Sequence, residues 1–321
     1  MTLPTPVSPM LATLGPVPTG PGWAFEWKWD GVRAITTVAD GQVRAFSRTG
    51  REITSTYPEL GVLAELVHAP AVFDGELVTL DNAGRPDFGR LQERMHQSAP
   101  SSAQLAAIPV AYYVFDLLHW DNHELTEQTY ERRRKLLALC ELDAPPEVRV
   151  SSYYVDVAGD DLMAVAAQHG IEGVVAKRLD STYLAGRRSK DWIKVPIRHT
   201  QEVVVCGWTQ GQGRRARTLG ALLLGAYTSD GLTFLGHVGT GFTDRALTDL
   251  GALLAPLEQP DSPFAGEVPS EYARNARWVR PELVGEVEYR QVTSDGRLRQ
   301  PSWRGLRPDR RPAEVTLPTD W

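Results

Sequence analysis

Apolar and polar positions along the chain follow a strand-like rhythm at first and then break into short helical stretches. Residues 24–29 and 32–38 are rich in aromatic and β-branched side chains, and Asp40-Gly41 supplies a hairpin turn into residues 43–47. Leu60, Leu63, Leu66 and Val67 recur on one helical face, which predicts a helix over residues 58–67. Residues 71–79 read as a strand closed by the turn Asn82-Ala83-Gly84, residues 88–95 as a short helix, 110–117 as a buried strand and 131–139 as a basic amphipathic helix. The spacing over 160–169 predicts another helix, ended by Gly170, and residues 174–176 and 192–195 return to strand character.

Beyond about His199 the texture changes. Short apolar strands at 203–208, 220–227 and 232–237 are separated by Gly-rich turns, a helix follows at 244–254, and further strands are expected at 284–289 and near Arg297. Several strands with one inserted helix fit a small barrel such as an OB-fold. The expected organisation is an α+β domain over residues 1–199 followed by an OB-fold β-barrel over residues 200–321.

Composition supports two domains: 321 residues, 42% of them hydrophobic and 23% charged, are enough for two cores. No segment approaches the roughly 20 apolar residues needed to span a bilayer, since the run 219–227 is strand-sized. The N-terminus carries prolines where a secretory signal has cations and an apolar run, so a cytoplasmic protein is expected. Two cysteines, Cys140 and Cys206, make neither a disulfide framework nor a four-Cys zinc site and are expected to be ordinary buried residues.

The net charge of −6 argues against a surface that grips nucleic acid everywhere. Its distribution changes the picture. Arg187, Arg188, Lys190, Lys194, Arg198, Arg214, Arg215 and Arg217 form one cationic cluster against Asp191 and Glu202. A second runs through Arg297, Arg299, Arg304, Arg307, Arg310 and Arg311 with only Asp309 opposing it in sequence. Such clusters can form a local phosphate track, solvated surface charge being the plainer alternative.

The string Glu26-Trp27-Lys28-Trp29-Asp30-Gly31-Val32-Arg33 carries the sharpest chemistry. Alternation along a strand puts Glu26, Lys28 and Asp30 on one face, and Gly31 permits close backbone approach. A lysine in this setting can act as a nucleophile toward a phosphate, or can simply make strand ion pairs.

Lys28-Trp29-Asp30-Gly31-Val32-Arg33 resembles the first motif of the covalent nucleotidyltransferases, the superfamily of DNA ligases, RNA ligases and mRNA capping enzymes. The remaining motifs follow in family order: Ser47-Arg48-Thr49-Gly50, Phe73-Asp74-Gly75-Glu76, Tyr113-Val114-Phe115-Asp116, Glu172-Gly173-Val174-Val175-Ala176-Lys177, Trp192-Ile193-Lys194 and Arg304-Gly305-Leu306-Arg307-Pro308-Asp309-Arg310. The resemblance runs from about Trp23 to Val315 and is closest to the ATP-dependent DNA ligases of bacterial end joining. It implies an ATP-grasp-like first domain of antiparallel sheets with helices, then the OB-fold.

The same resemblance assigns roles. Lys28 corresponds to the residue that takes up AMP from ATP, and its amine must lose its proton through burial and nearby positive charge. Arg33 and Arg48 match positions that bind the nucleotide sugar and phosphates. Glu76 and Glu172 match carboxylates that hold ribose and a divalent metal, Mg²⁺ or Mn²⁺. Phe115 corresponds to the aromatic that stacks on adenine and Glu26 to the residue that reads the adenine edge. Arg188 and Lys194 match cations approaching the phosphates; Lys177 is a weaker phosphate candidate and Asp30 a structural one. Asp309 and Arg310 match residues that orient the departing pyrophosphate.

Two positions depart from the family pattern. Pro196 stands where a second lysine is common, with Arg198 as the candidate replacement, and Arg310 stands where the family has lysine. Nicked or broken double-stranded DNA is the implied substrate, acted on by a monomer with a Ku-like end-binding protein and a separate polymerase and nuclease as implied partners. Capping enzymes would require GTP, and NAD⁺-dependent ligases add domains that do not fit here. RNA ligation remains the alternative within the class, and a non-catalytic nucleic-acid-binding OB-fold the alternative outside it.

Overall fold

A computed structural model describes residues 5–95, 97–142, 146–211, 219–293 and 295–317. Arg214, Arg215 and Arg217 of the first basic cluster lie outside the described residues. The chain forms two compact units, residues 1–197 and 198–321.

The strands of the first unit are β1 (Leu11–Leu14), β2 (Trp23–Trp27), β3 (Val32–Ala39), β4 (Gln42–Ser47), β5 (Ala71–Val78), β6 (Ala111–Trp120), β7 (His123–Glu124), β8 (Val148–Val150), β9 (Tyr153–Val155), β10 (Gly173–Arg178) and β11 (Arg188–Pro196). Its helices are α1 (Leu63–Leu66), α2 (Phe88–Met95), α3 (Ser102–Ala107), α4 (Tyr130–Ala138) and α5 (Gly159–Gln168). One sheet runs β1-β11-β10-β2-β9 and the other β4-β3-β5-β6-β7, with β8 alongside β6. Pairing is antiparallel except at β1–β11 and β6–β8, which are parallel.

Alternation gives the first sheet two chemically different faces. Phe25, Val174, Ala176 and Val195 point to one side and pack with Leu162 of α5. Glu26, Lys177, Trp192 and Lys194 occupy the other, because register sets Glu26 opposite Val175, Val175 opposite Lys194 and Lys177 opposite Trp192. In the second sheet Ala34, Phe73, Leu77, Val114 and Leu117 fill a core with Tyr57, Leu60, Leu63 and Leu137. Ile35, Val72 and Leu118 turn instead toward Met10, Tyr183 and Trp192.

The second unit contains β12 (His199–Gln210), β13 (Leu219–Thr228), β14 (Gly231–Val238), α6 (Asp244–Leu254), β15 (Glu258–Gln259), α7 (Ser270–Ala273), β16 (Ala276–Tyr289) and β17 (Ser302–Leu306). The sheet runs β14-β13-β12-β16-β15, with β17 on β16, and Leu247, Leu250 and Leu254 of α6 are buried in its core. This is the strand-rich unit with an inserted helix that the OB-fold expectation described.

Several boundaries differ from the sequence expectation. The stretch 58–67 is a 3₁₀ segment, Pro58–Val62, leading into the single turn of α1. Leu60 and Leu63 are both fully buried, and a three-residue spacing suits the tighter helix. The strand expected near Arg297 is reduced to an isolated bridge between Val292 and Leu298, the extended segment coming later at β17. Cys206 is buried as expected, but Cys140 is only half-buried.

Candidate functional site

Lys28 sits in the loop between β2 and β3, one residue past the end of β2. The strand therefore stops too early for Glu26, Lys28 and Asp30 to share a strand face. The loop is fixed at several points. The Lys28 amide donates to the Gly173 carbonyl at 2.9 Å. Trp29 stacks on Tyr113 with ring centroids 4.0 Å apart, and its indole N–H donates to Ser151 Oγ at 3.1 Å. At Gly31 an added Cβ would lie 2.1 Å from the Leu77 carbonyl oxygen, so only glycine allows this approach to β5.

A cavity of about 430 Å³ opens over this loop, lined by Glu26, Lys28, Arg33, Arg48, Glu76, Phe115, Arg188 and Lys194 among others. Eight positions singled out in sequence thus converge, drawn from β2, the β2–β3 loop, β3, the Ser47–Gly50 turn, β5, β6 and β11. Glu172 reaches the same place by accepting a hydrogen bond from the Lys28 ammonium. Asp309 and Arg310 belong to the second unit. There Asp309 accepts two hydrogen bonds from Arg307, at 3.0 and 2.9 Å, which hold its carboxyl down at about 2, and Arg310 donates to Glu202 at 2.8 Å.

Both signs of charge surround Lys28: the cations Arg33, Arg48, Arg188 and Lys194 line the same cavity, and carboxylates stand beside it. The direct partner of Lys28 is the Glu172 carboxylate. Glu76 is pushed up to about 8 by burial; Arg33 and Lys28 oppose that rise, while Asp74 and Glu172 add to it. Among the described residues no group of three or more His, Cys, Asp or Glu converges as a metal site. Two carboxylates that repel one another beside this cavity nevertheless fit a magnesium-like ion, which takes one or two protein carboxylates and completes its shell with phosphate oxygens and water.

Arg33 does not reach freely into the cavity. Its guanidinium makes a bidentate pair with Asp74, 2.5 and 2.6 Å, and its carbon lies 4.6 Å from the Phe115 ring centroid. Burial disfavours the Arg33 cation, but Asp74 outweighs it and raises the group further above its ordinary value. Asp74 also accepts from Tyr183 Oη at 2.6 Å, and Tyr183 Oη accepts from the Met10 amide at 2.9 Å. Phe115 forms part of the wall and is 8% exposed.

Sequence reasoning underrates Lys177 and misses its surroundings. Lys177 is 2% exposed, and its Nζ lies 2.6 Å from Glu26 Oε2. It stands 4.4, 5.1 and 4.1 Å from the ring centroids of Phe115, Tyr130 and Trp192. Burial pulls its pKa below the ordinary lysine value against the opposing pull of Glu26 and Asp116. Glu26 Oε1 accepts from Tyr130 Oη and lies 3.7 Å from Arg134. The placement of Asp74 beside the site is legible, since it shares a strand face with Glu76, two residues on, but its pairing with Arg33 is not. Tyr130 and Arg134 come from α4, more than a hundred residues after Glu26, and carry no local signal.

Residues 9–195 match the family described as ATP dependent DNA ligase domain, and residues 215–310 match the ATP dependent DNA ligase C terminal region. The multifunctional non-homologous end joining protein LigD of Mycolicibacterium smegmatis is 46% identical over 319 residues, covering 97% of this chain and 40% of that protein. The LigD of Pseudomonas aeruginosa is 39% identical over 319 residues, covering 98% of this chain and 37% of that protein. The chain thus spans about 40% of the length of these curated relatives. Among solved structures, the ligase domain of M. tuberculosis LigD is similar with a TM-score of 0.56 and 42% identity, covering 97% of this chain and 98% of that one. A Lig E DNA ligase, 20% identical with a TM-score of 0.60, shares the fold.

Proposed function

Because the chain belongs to the ATP-dependent DNA ligase family, we propose that it joins a 3′-hydroxyl to a 5′-phosphate in broken double-stranded DNA through an AMP carried on Lys28. The observation that carries this reading is the placement of Lys28 in a cavity with carboxylates on one side and Arg48, Arg188 and Lys194 in the same lining.

In the first step the Lys28 nitrogen sheds a proton, for which Glu172 is the adjacent acceptor, and attacks the α-phosphorus of ATP. An N–P bond forms, the P–O bond to pyrophosphate breaks, and Lys194 with Arg48 and Arg188 stabilises charge on the phosphates. A Mg²⁺ or Mn²⁺ ion held by Glu76 and Glu172 would supply further neutralisation of phosphate charge. Phe115 and Glu26 face the base and Arg33 the sugar side. Asp309 and Arg310 orient pyrophosphate. The AMP then passes to the 5′-phosphate, and attack by the 3′-hydroxyl expels it and closes the strand.

The curated relatives are named for non-homologous end joining. By likeness to them we place this chain in DNA repair, working with a Ku-like end-binding protein and separately supplied polymerase and nuclease activities. The test is incubation with labelled ATP and metal, denaturing electrophoresis, and assays of nicked DNA against nicked RNA. Covalent label and DNA sealing, both lost in Lys28→Ala with its fold intact, are expected. Label retained by that variant, or salt-sensitive DNA binding with no covalent label in the native chain, rejects the reading.

A further inference from the structure

The Lys177–Glu26 pair has a geometry that a plain structural ion pair does not need. Both partners are almost wholly buried, yet both line the cavity. Burying an ion pair is costly, and an apolar pair of similar volume packs as well or better. Here the ammonium is enclosed by three aromatic rings, which suit a desolvated cation. Its neighbour Tyr130 is fully buried at the start of α4, with its amide bonded to the Ser181 carbonyl at 2.8 Å. A hydroxyl and an ammonium therefore reach Glu26 from fixed positions, and each has a hydrogen to give.

The consequence for recognition follows from donor and acceptor counting. A carboxylate with a hydroxyl donor on one oxygen and an ammonium ion-paired to the other presents only acceptor lone pairs to whatever else approaches it. Glu26 shares the cavity wall with Phe115 and Trp192, the aromatic end, since all three surround Lys177, and Lys28, Arg48 and Lys194 supply the same cavity with cations suited to phosphates. A base lying at the aromatic end meets an acceptor-only edge. Adenine offers an amine at its sixth ring position, and guanine offers a carbonyl oxygen there.

We propose that Lys177 is a positioning residue for nucleotide selectivity, holding Glu26 as an acceptor so that the site takes a purine with a 6-amine and rejects one with a 6-carbonyl. The inference rests on the reading of the cavity as an ATP site. Without Lys177 one Glu26 oxygen loses its fixed partner and the carboxylate can turn away from the base, so discrimination weakens even where the fold survives.

Two measurements test this, both reading covalent loading of the nucleotide on the chain. The unaltered protein is given ATP, the triphosphate of purine riboside, which lacks the 6-substituent, and inosine triphosphate, which carries a carbonyl there. Loading efficiency, kcat/KM, is expected to fall in that order, by about ten- to a hundredfold from ATP to the inosine compound, the range of one good base contact. Equal loading of ATP and inosine triphosphate overturns the proposal without recourse to any variant.

The second measurement uses Glu26→Gln/Lys177→Met, which replaces the buried pair by neutral groups of similar size; Arg134 loses a carboxylate 3.7 Å away but keeps its hydrogen bonds to the Phe115 and Ser151 carbonyls. Its glutamine amide can turn either a donor or an acceptor to the base. The ATP-to-inosine ratio is expected to collapse toward one, with the change chiefly in KM. A variant that loses both substrates equally and keeps the native ratio assigns Lys177 a purely structural role and overturns the proposal. A native chain that takes no label from ATP overturns the parent reading and this inference with it, whereas native loading with an unchanged ratio in the variant overturns this inference alone.

Discussion

Asp74 is fully buried, holds Arg33 with both oxygens and accepts from Tyr183. Truncation leaves the Arg33 guanidinium without its anion, so Asp74→Ala should lower stability by about 3–5 kcal/mol, the range for breaking a buried pair from one side. Urea unfolding measures it, and a loss below about 1 kcal/mol would place the pair in the solvent-screened class. Glu76 supplies a pH dependence. Its folded-state value of about 8 lies above the ordinary 4.5, so between those values the folded chain holds a proton that the unfolded chain has released. This contribution to stability is complete below the ordinary value and is lost as pH rises through about 8. In metal-free protein, Glu76→Gln should flatten the decline of the urea midpoint over that interval, and an unchanged decline would contradict the assignment. At this scale the sequence shows which side chains belong together, because Lys28, Arg33, Glu76, Phe115 and Lys194 all fall within the ordered motifs. It does not show what each touches. The Asp74 clamp on Arg33 and the Lys177 cage depend on pairing between distant strands and on α4.

Gly173 opens β10 with φ of 139°, and a Cβ there would meet the Val195 carbonyl oxygen at 2.2 Å. The same residue receives the Lys28 amide, so the motif of β10 fixes the loop that carries Lys28. Gly173→Ala should cost about 1–3 kcal/mol through backbone strain and should slow AMP loading more than its stability loss explains. Native-like loading in that variant would show the loop to be held elsewhere. Elements with clean periodicity are readable: α2 and α6 coincide with the expected residues, and β5 and β10 differ only at their ends. Other elements are hidden for identifiable reasons. β1 lies in a proline-rich opening and is an edge strand. β16 is legible only from 284, because Pro281 and the charged residues Arg277, Arg280 and Glu282 interrupt the apolar pattern. The structure accommodates Pro281 where the β12–β16 register shifts, between Val205 and Gly207. α3 escapes the pattern although Ser101 and Gln104 form a capping box, because the helix buries no side chain and gives no apolar stripe.

Across the whole chain, the net charge of −6 hides how the cations are used. The second basic cluster is opposed by more than Asp309: Arg304 pairs with Glu288, Arg307 with Glu202, Glu286 and Asp309, and Arg310 with Glu202. Glu202, Glu286 and Glu288 come from β12 and β16, which no linear reading places beside residues 304–310. Arg198, the expected replacement for a lysine at Pro196, is likewise bonded to Glu288 at 3.2 Å. Arg187 and Lys190 are exposed and have no ion pair among the described residues. Replacing both with glutamine should reduce the salt dependence of nick binding by roughly one unit of slope for each phosphate they neutralise, and an unchanged slope returns them to solvated surface charge. Asp309 and Arg310 carry a step-specific expectation. Asp309→Ala and Arg310→Ala should load AMP poorly yet seal a nick whose 5′-phosphate already carries AMP, since no pyrophosphate leaves in that step. Equal losses in both assays would reject the assignment. The central claim, that AMP is carried on Lys28, is tested most directly by digesting the ATP-treated protein and locating the adenylylated peptide by mass spectrometry. The account predicts a single acid-labile AMP on the Lys28 nitrogen; AMP on another residue, with Lys28 unmodified in active protein, would contradict it.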